Sequence, residues 1–206
     1  MSSLSALAMR VVAEVNDSTN NTFLSAISGT GYSEVQQYIV DGLRDYSGFV
    51  YRQVFDQSIV TSANLRVYSV SSLNPAPVAI KRVEYVFSST GITNVPDVEL
   101  FGGNMFLFDR DRPIYTTAAG NYFNLWYLGQ HSIPSAGSAA LTIDSGEDEI
   151  IVNYAKSKTM YKQALDQRGI NQDTANEFIA LAHEFETAYK DGVRRSQQLG
   201  SFTSYK

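Results

Sequence analysis

Few residues in this 206-residue chain have the type and spacing that catalysis or metal binding requires. The two histidines are not accompanied by any cysteine, which excludes disulfides, thiolate metal ligands and a cysteine nucleophile. His183 lies in "LAHEFE", and no second histidine follows four residues later, as a zinc-binding helix requires. His131 lies in "YLGQHSIP" without a neighbouring ligand. We therefore interpret His183 as an exposed or half-buried helix residue and His131 as a solvated loop residue.

Two acidic segments resemble cation or acid–base sites by composition alone. Asp109 and Asp111 alternate with two arginines, which would neutralise the field that a metal ion needs, so a charged hairpin tip explains them better than a hydrolase acid pair. The acidic run at 145–149 lacks the alternating ligands of a calcium loop and fits a helix start capped by Asp144 or Ser145. Neither "SGTG" nor "FGGN" has the Lys and Ser or Thr of a phosphate loop. We expect no catalytic residue, cofactor or metal, and hence no enzyme.

Aromatic residues are the clearest compositional excess, with 13 Tyr and 11 Phe. Many lie in the middle of the chain, where they favour a sheet core with cross-strand pairs. A protein interface is the second interpretation. A carbohydrate-binding or decoration module is a third alternative, in which Tyr122, Trp126 and Tyr127 would lie exposed on one sheet face. The net charge of -5 argues against a surface that wraps nucleic acid. No apolar run approaches the roughly 20 residues that a membrane span needs.

Helical periodicity occurs at both ends of the chain. The N-terminal part predicts two helices, of which the first ends near Val15 and the second lies between a cap at Ser33 and a stop at Gly48. The C-terminal part predicts a helix that stops at Gly169 and a longer one that is capped by Asn171. Each helix has one apolar stripe, so each should bury that stripe against the others.

The middle of the chain has a period near two, as in "LRVYSV" and "AIKRVEYVF", and predicts four to seven short antiparallel strands in a compact sheet or small barrel. The predicted fold class is α+β. We expect residues 1–48 and 145–198 to form a four-helix bundle, with residues 49–144 as a β insertion between helices two and three. We expect residues 199–206 to form an extended C-terminal tail. We expect this acidic protein to end in a basic segment that either complements a helix dipole or serves as a docking arm.

This layout resembles the head–tail adaptor (connector) proteins of tailed bacteriophages. The resemblance is carried by "YIVDGLRDYSG" in the second helix, "NLWYLG" in the last strand, "SGEDEIIVNYAKSKTMYKQAL", and "EFIALAHEFETAYKDGVRRS" before the tail. It covers most of the chain through architecture and soft patterns. A tubular tail or neck-completion protein of similar build is the nearest alternative.

The resemblance implies a structural protein of the virion neck that is made in the host cytoplasm. It implies a homo-oligomeric ring of twelve copies that binds the portal protein on one side and a tail, stopper or neck protein on the other. DNA passes through the lumen without specific binding during genome ejection, and no membrane is involved. The resemblance assigns a portal-docking arm at the C-terminus, formed by Val193, Arg194, Arg195, Leu199, Phe202 and Tyr205.

Overall fold

The computed structural model describes residues 2–15, 32–86, 93–109, 112–113, 116, 120–135, 140–144 and 146–202. The fold is α+β and divides into two compact units. Met1–Val50 and His131–Lys206 form a helical unit, and Tyr51–Gln130 form a β unit. The β unit lies in the chain between the second and third helices.

Four helices form the helical unit: α1 (Leu4–Glu14), α2 (Glu34–Ser47), α3 (Asp148–Gln167) and α4 (Gln172–Phe202). Within the described residues, α3 packs against each of the other three. All four helices contribute to one core cluster, which includes Leu4, Val11, Ile39, Leu43, Ile151, Ala155, Ala182 and Tyr189. Most of each predicted apolar stripe is therefore buried in this shared core. Leu165 of α3 and Leu181 of α4, which periodicity places on their stripes, are the exceptions, at 57% and 40% exposure.

The caps explain where three of the helices begin. The Ser33 hydroxyl accepts a hydrogen bond from the Gln36 amide, and the Gln36 side chain accepts one from the Ser33 amide, which makes a reciprocal capping box. Ser3 caps α1 in a similar way through its hydroxyl. At the start of α4, Asn171 Oδ1 accepts a hydrogen bond from the Thr174 amide at 3.2 Å. The predicted caps at Ser33 and Asn171 are confirmed.

The predicted cap of α3 is wrong. Glu147 occupies the N-cap position without a side-chain hydrogen bond to the helix, and Asp144 contributes only its backbone carbonyl, which accepts from the Glu147 amide. Ser145 lies outside the described residues. Asp148 and Glu149 instead place two carboxylates in the first turn, where the positive end of the helix dipole favours negative charge.

The segment that returns from the β unit belongs to the helical unit. Ala140 forms a bridge with Ser3, and the Leu141 amide donates to the Ser2 carbonyl. Leu141 and Ile143 are fully buried in the helical core. The β insertion therefore ends at Gln130, earlier than the predicted 49–144, because the following residues complete the helical core.

The β unit has eight described strands: β1 (Arg52–Asp56), β2 (Val67–Ser69), β3 (Pro77–Val86), β4 (Thr93–Asn94), β5 (Asp97–Phe101), β6 (Asn104–Asp109), β7 (Arg112–Pro113) and β8 (Phe123–Gly129). They form two antiparallel sheets, one in the order β1-β8-β3-β4 and one in the order β2-β6-β5, with β7 also paired to β6. Among the described residues these are separate sheets, not the closed barrel that was one of the predicted alternatives. The number of strands exceeds the predicted range of four to seven because it includes β4 and β7, which have only two residues each and leave little signal in the sequence.

One core cluster holds the two sheets together. In β8 every second residue is buried, from Phe123 through Leu125 to Tyr127. These residues pack with Val83 and Tyr85 of the same sheet and with Tyr68, Met105 and Leu107 of the other. Phe123 makes edge contacts with the rings of Tyr68 and Tyr85 at 4.7 and 5.5 Å. Both sheets therefore have an inner face on this core and an outer face.

Candidate functional site

The end of α4 contains most of the residues predicted as a docking arm. Arg194 and Arg195 are exposed on the helix. Arg194 Nη1 lies 3.3 Å from Asp191 Oδ1, and Arg195 Nε donates to the Asp191 carbonyl at 3.3 Å. Asp191 is thus the acid that balances this basic surface within its own helix. The backbone of the helix includes Leu199 and Phe202, and Tyr205 lies outside the described residues.

Two features of this arm differ from the prediction. The extended tail predicted from residue 199 is wrong through Phe202, because α4 continues as a helix to that residue. Val193 is only 7% exposed and belongs to the core of the helical unit, so it anchors the helix and is unavailable to a partner. Tyr189 and Ser196 on the same side are also buried, which places the buried stripe of α4 through this region.

The end of α4 extends beyond the helix against which it packs. A Cβ atom at Gly192 would lie 2.8 Å from Ile150 Cγ1, so Gly192 packs directly against the first turn of α3. α3 begins at Asp148, two residues before Ile150, and Val193 and Ser196 of α4 are still buried. The part of α4 that continues past the start of α3 therefore follows Ser196 and ends at Phe202, a length of about 9 Å at about 1.5 Å per residue. The two arginines lie directly before it, at one end of the helical unit.

An open cavity of about 340 Å³ lies beside this end of α4, between it and the end of α2. Phe49 is exposed in its wall, and the Tyr189 hydroxyl donates to Asp45 Oδ2 at 2.5 Å. Burial, followed by the hydrogen bond and charge of Asp45, raises the pKa of Tyr189. Lys190 and Arg194 line the rim. The arrangement offers aromatic side chains next to two cations.

The two histidines differ from one another. His183 is exposed, and its Nδ1 lies 3.1 Å from the Tyr161 hydroxyl, so the prediction of an exposed helix residue is confirmed. His131 is only 6% exposed, its Nδ1 lies 3.2 Å from the Thr142 carbonyl, and its ring lies 5.5 Å from that of Tyr46. The prediction of a solvated loop residue is therefore wrong for His131. The reason is that this loop packs into the helical core.

The described residues give little support to the predicted alternatives, an acid pair at Asp109 and Asp111 and a carbohydrate-binding face. Asp109 lies exposed at the end of β6, and Asp111 is outside the described residues. The described residues contain no group of three or more His, Cys, Asp or Glu that could hold a metal ion. The carbohydrate face is wrong as predicted: Tyr122 is exposed, but Tyr127 is 1% exposed and points into the sheet core, on the opposite side from Trp126.

The first sheet has an aromatic and cationic outer face that sequence reasoning missed. Phe55, Trp126 and Arg82 are in register on three adjacent strands. The rings of Phe55 and Trp126 lie 5.0 Å apart, and Arg82 Cζ lies 5.8 Å from the Trp126 ring. Arg82 is ion-paired with Glu84, and exposed Lys81 precedes it at a register shift. We call Phe55, Lys81, Arg82 and Trp126 the tryptophan face.

The second sheet has an aromatic and acidic outer face. Asp97, Glu99 and Phe101 alternate with the inward residues of β5, and their cross-strand partners include Phe106 and Phe108. Phe101 is 79% exposed at the tip of the β5–β6 hairpin. We call these five residues the phenylalanine face. The alternation in "DVELF" indicates only its β5 residues, because exposed positions recur every two residues along one strand.

No protein-family model matches the chain, and no curated protein matches it at a significant level of similarity. No helix within the described residues is both long and apolar enough to cross a membrane.

Proposed function

We propose that this chain is a structural virion protein, a head–tail adaptor whose ring joins the portal to the tail or neck of a tailed bacteriophage and continues the DNA conduit. The resemblance in the sequence motivates this proposal. The structural observation that carries it is the end of α4, which extends past α3 and presents Arg194 and Arg195 to solvent. A projecting helix with exposed cations is a suitable element for insertion into a partner.

The four helices are proposed to act as a four-helix bundle that holds this docking element. The support is their single shared core and the packing of α3 against the other three helices. In this proposal Val193 fixes the helix in the bundle, and Arg194 and Arg195 contact acidic or carbonyl groups of the portal. The arm is completed by Leu199, Phe202 and Tyr205.

The charge distribution supports a role as a conduit. Residues 51–130 contain equal numbers of acidic and basic side chains, so the helical unit carries the whole net charge of -5. A protein surface that neutralises DNA phosphates needs an excess of Lys and Arg. An acidic lumen would let DNA pass during ejection without gripping it, and a ring whose lumen is cationic would contradict this part of the proposal.

The proposal is tested by measuring the mass of the purified chain with and without the portal ring of the same phage. We expect the chain to bind the portal in ring stoichiometry. Arg194→Glu with Arg195→Glu should weaken binding at least about tenfold, since each lost charged contact at an interface costs about 1–3 kcal/mol. Arg168→Glu, a reversal at an exposed arginine in the turn between α3 and α4, should bind as the wild type does.

A second variant that ends at Gln198 tests the rest of the arm. It retains Val193 and Ser196, so the helical core should be intact by circular dichroism, while portal binding should be lost. Portal binding by neither the wild type nor any variant would contradict the adaptor proposal. If the chain instead binds only the tail tube or the lower neck, the tubular tail or neck-completion alternative is the better one.

A further inference from the structure

The two outer faces of the β unit lie on opposite sides of one sandwich. The sheets share the core cluster formed by their inner residues, so the tryptophan face and the phenylalanine face point away from each other. Each face combines aromatic rings with charged side chains. Phe101 shares its face with the partly exposed Phe106 and Phe108, and an exposed aromatic patch of this kind often marks an interaction site.

The charges of the two faces have opposite sign. On the phenylalanine face, Asp97 and Glu99 are exposed, and within the described residues neither has an ion-pair partner. On the tryptophan face, Lys81 is exposed and also has no ion-pair partner among the described residues, and Arg82 is 55% exposed. The Glu84 carboxylate that pairs with Arg82 is mostly covered, at 17% exposure, so the cations dominate the accessible charge there.

We propose that the phenylalanine face of one copy binds the tryptophan face of the next copy. Asp97 and Glu99 then lie opposite Lys81 and Arg82, and Phe101 packs against the rings of the neighbouring tryptophan face. This inference rests on the proposed ring and names the surfaces through which its subunits join. Arginine pairs favourably with carboxylates and stacks on aromatic rings, so the charged and the aromatic contacts favour the same alignment of the two faces.

A second copy fits these faces better than an unrelated partner does. One face carries exposed carboxylates and the other carries exposed cations, and every copy of the chain has one of each. Two different surfaces on opposite sides of a unit give a heterologous, head-to-tail contact, which closes into a ring when the rotation between copies permits it. Because every copy uses both faces, many modest contacts stabilise the closed assembly together.

The test uses the full chain in sedimentation velocity over a series of concentrations. The basic variant carries Asp97→Lys and Glu99→Lys, and the acidic variant carries Lys81→Glu and Arg82→Glu. We expect each to self-associate at least about tenfold more weakly than the wild type, because like charges then face each other. Glu177→Lys with Glu184→Lys makes the same charge change as the basic variant at exposed positions of α4 and should associate normally.

Mixing the two variants gives the decisive result. The basic variant has two cationic faces and the acidic variant has two anionic faces, so an equimolar mixture should recover assembly with alternating copies. Recovery supports the inference. Normal assembly by either variant alone, or failure of the mixture to recover, would overturn it. Phe101→Ser offers a check that leaves the charges and the core unchanged, and it should weaken association about tenfold.

The result separates this inference from the adaptor proposal. If the wild-type chain binds the portal but stays monomeric at its highest soluble concentration, and the variants bind the portal equally well, this inference is wrong and the proposed function stands. If the chain assembles through these faces but does not bind the portal, the inference stands and the proposed function is wrong.

Discussion

Lys156 carries a charged amine into the helical unit, where its side chain is 7% exposed. It pairs with Glu14 of α1, lies 3.6 Å from Glu149 of α3, and has its Nζ 5.1 Å from the centre of the Phe185 ring of α4. Arg10 is ion-paired with both acids. An unpaired buried charge costs several kcal/mol, so the folded helical unit needs these acids to compensate the charge of Lys156. The cluster ties α1 to α3.

Glu14→Gln should therefore destabilise the helical unit in a pH-dependent way. Burial disfavours the ionised carboxylate, but the hydrogen bonds and charges of Lys156 and Arg10 outweigh it and lower the pKa of Glu14 from 4.5. A lowered folded-state pKa contributes stability that is present above pH 4.5 and is lost as the pH falls through the folded-state pKa. Partial exposure of Glu14 limits the expected loss at pH 7 to about 1–2 kcal/mol.

Urea unfolding of wild type and variant at pH 7 and at about pH 3 checks this expectation. The difference in free energy of unfolding should be clear at pH 7 and should be smaller at the lower pH. Glu177→Gln, at an exposed position of α4, should have almost no effect at either pH. A difference for Glu14→Gln that does not change with pH would show that the carboxylate charge is not what stabilises α1.

At the scale of the element, Gly42 lets α2 and α3 approach closely. A Cβ atom at this position would lie 2.8 Å from Tyr154 Cδ1 and 3.2 Å from Tyr154 Cβ. The Tyr154 ring is held on its other side by an edge contact with Tyr189 of α4 at 5.1 Å. Tyr154 of α3 therefore packs against α2 at this glycine. Tyr161 is also partly buried against the same core, and its hydroxyl contacts His183 and Glu186 of α4.

Gly42→Ala should destabilise the protein although alanine is the better helix former. The gain in helix propensity is about 1 kcal/mol, and forced overpacking costs about 1–3 kcal/mol, so we expect a net loss of up to about 2 kcal/mol. Thermal unfolding measures it. The reverse change at an exposed helix position, Ala180→Gly, should cost about 1 kcal/mol through propensity alone. An increase in stability for Gly42→Ala would mean that Tyr154 moves away freely.

Local signals predicted most of the elements. Ser33 and Asn171 satisfy backbone amides of the first turn, and that requirement is visible in the sequence. Strand alternation likewise separated Tyr68 and Val70, which the structure buries, from Val67 and Ser69. The acidic start of α3 was predicted, but its side-chain cap was not found, because the first turn is stabilised by charge and not by a capping hydrogen bond. The burial of the His131 loop depends on tertiary packing, which brings the His131 ring to 5.5 Å from the Tyr46 ring and is not visible in the local sequence.

The candidate site was less predictable than the elements. Arg194 and Arg195 were identified from their charge, but periodicity did not reveal that α4 continues to Phe202. The assignment of Tyr127 to an exposed face failed because the inner side of a strand is set by its neighbours in the sheet. The phenylalanine face required strand pairing, because it joins residues of β5 and β6 that are exposed together only in register.

At the scale of the whole molecule, each unit has a core of its own. Among the described residues, the core cluster of the β unit and the side chains packed against it all belong to 51–130, and those of the helical unit all lie outside this range. The two strands that begin and end the β unit pair with each other, since Arg52 of β1 lies opposite Gly129 of β8. The two ends of the β unit are therefore adjacent within this unit, about 5 Å apart by the spacing of paired strands.

Residues 51–130 should fold as an isolated fragment, and the helical unit should fold when a short Gly-Ser linker replaces them. The fragment has about 80 residues, which is enough for a marginally stable core, and its ends are already paired in the sheet. We expect cooperative urea unfolding, with a near-ultraviolet circular dichroism signal from the packed rings of Tyr68, Tyr85 and Phe123. Tyr127→Ala, which removes a buried ring, should abolish this cooperativity, whereas Tyr122→Ala at an exposed position should preserve it. A fragment without near-ultraviolet signal, beside a linker-joined helical unit that unfolds cooperatively, would show that the sandwich depends on the helices for its fold.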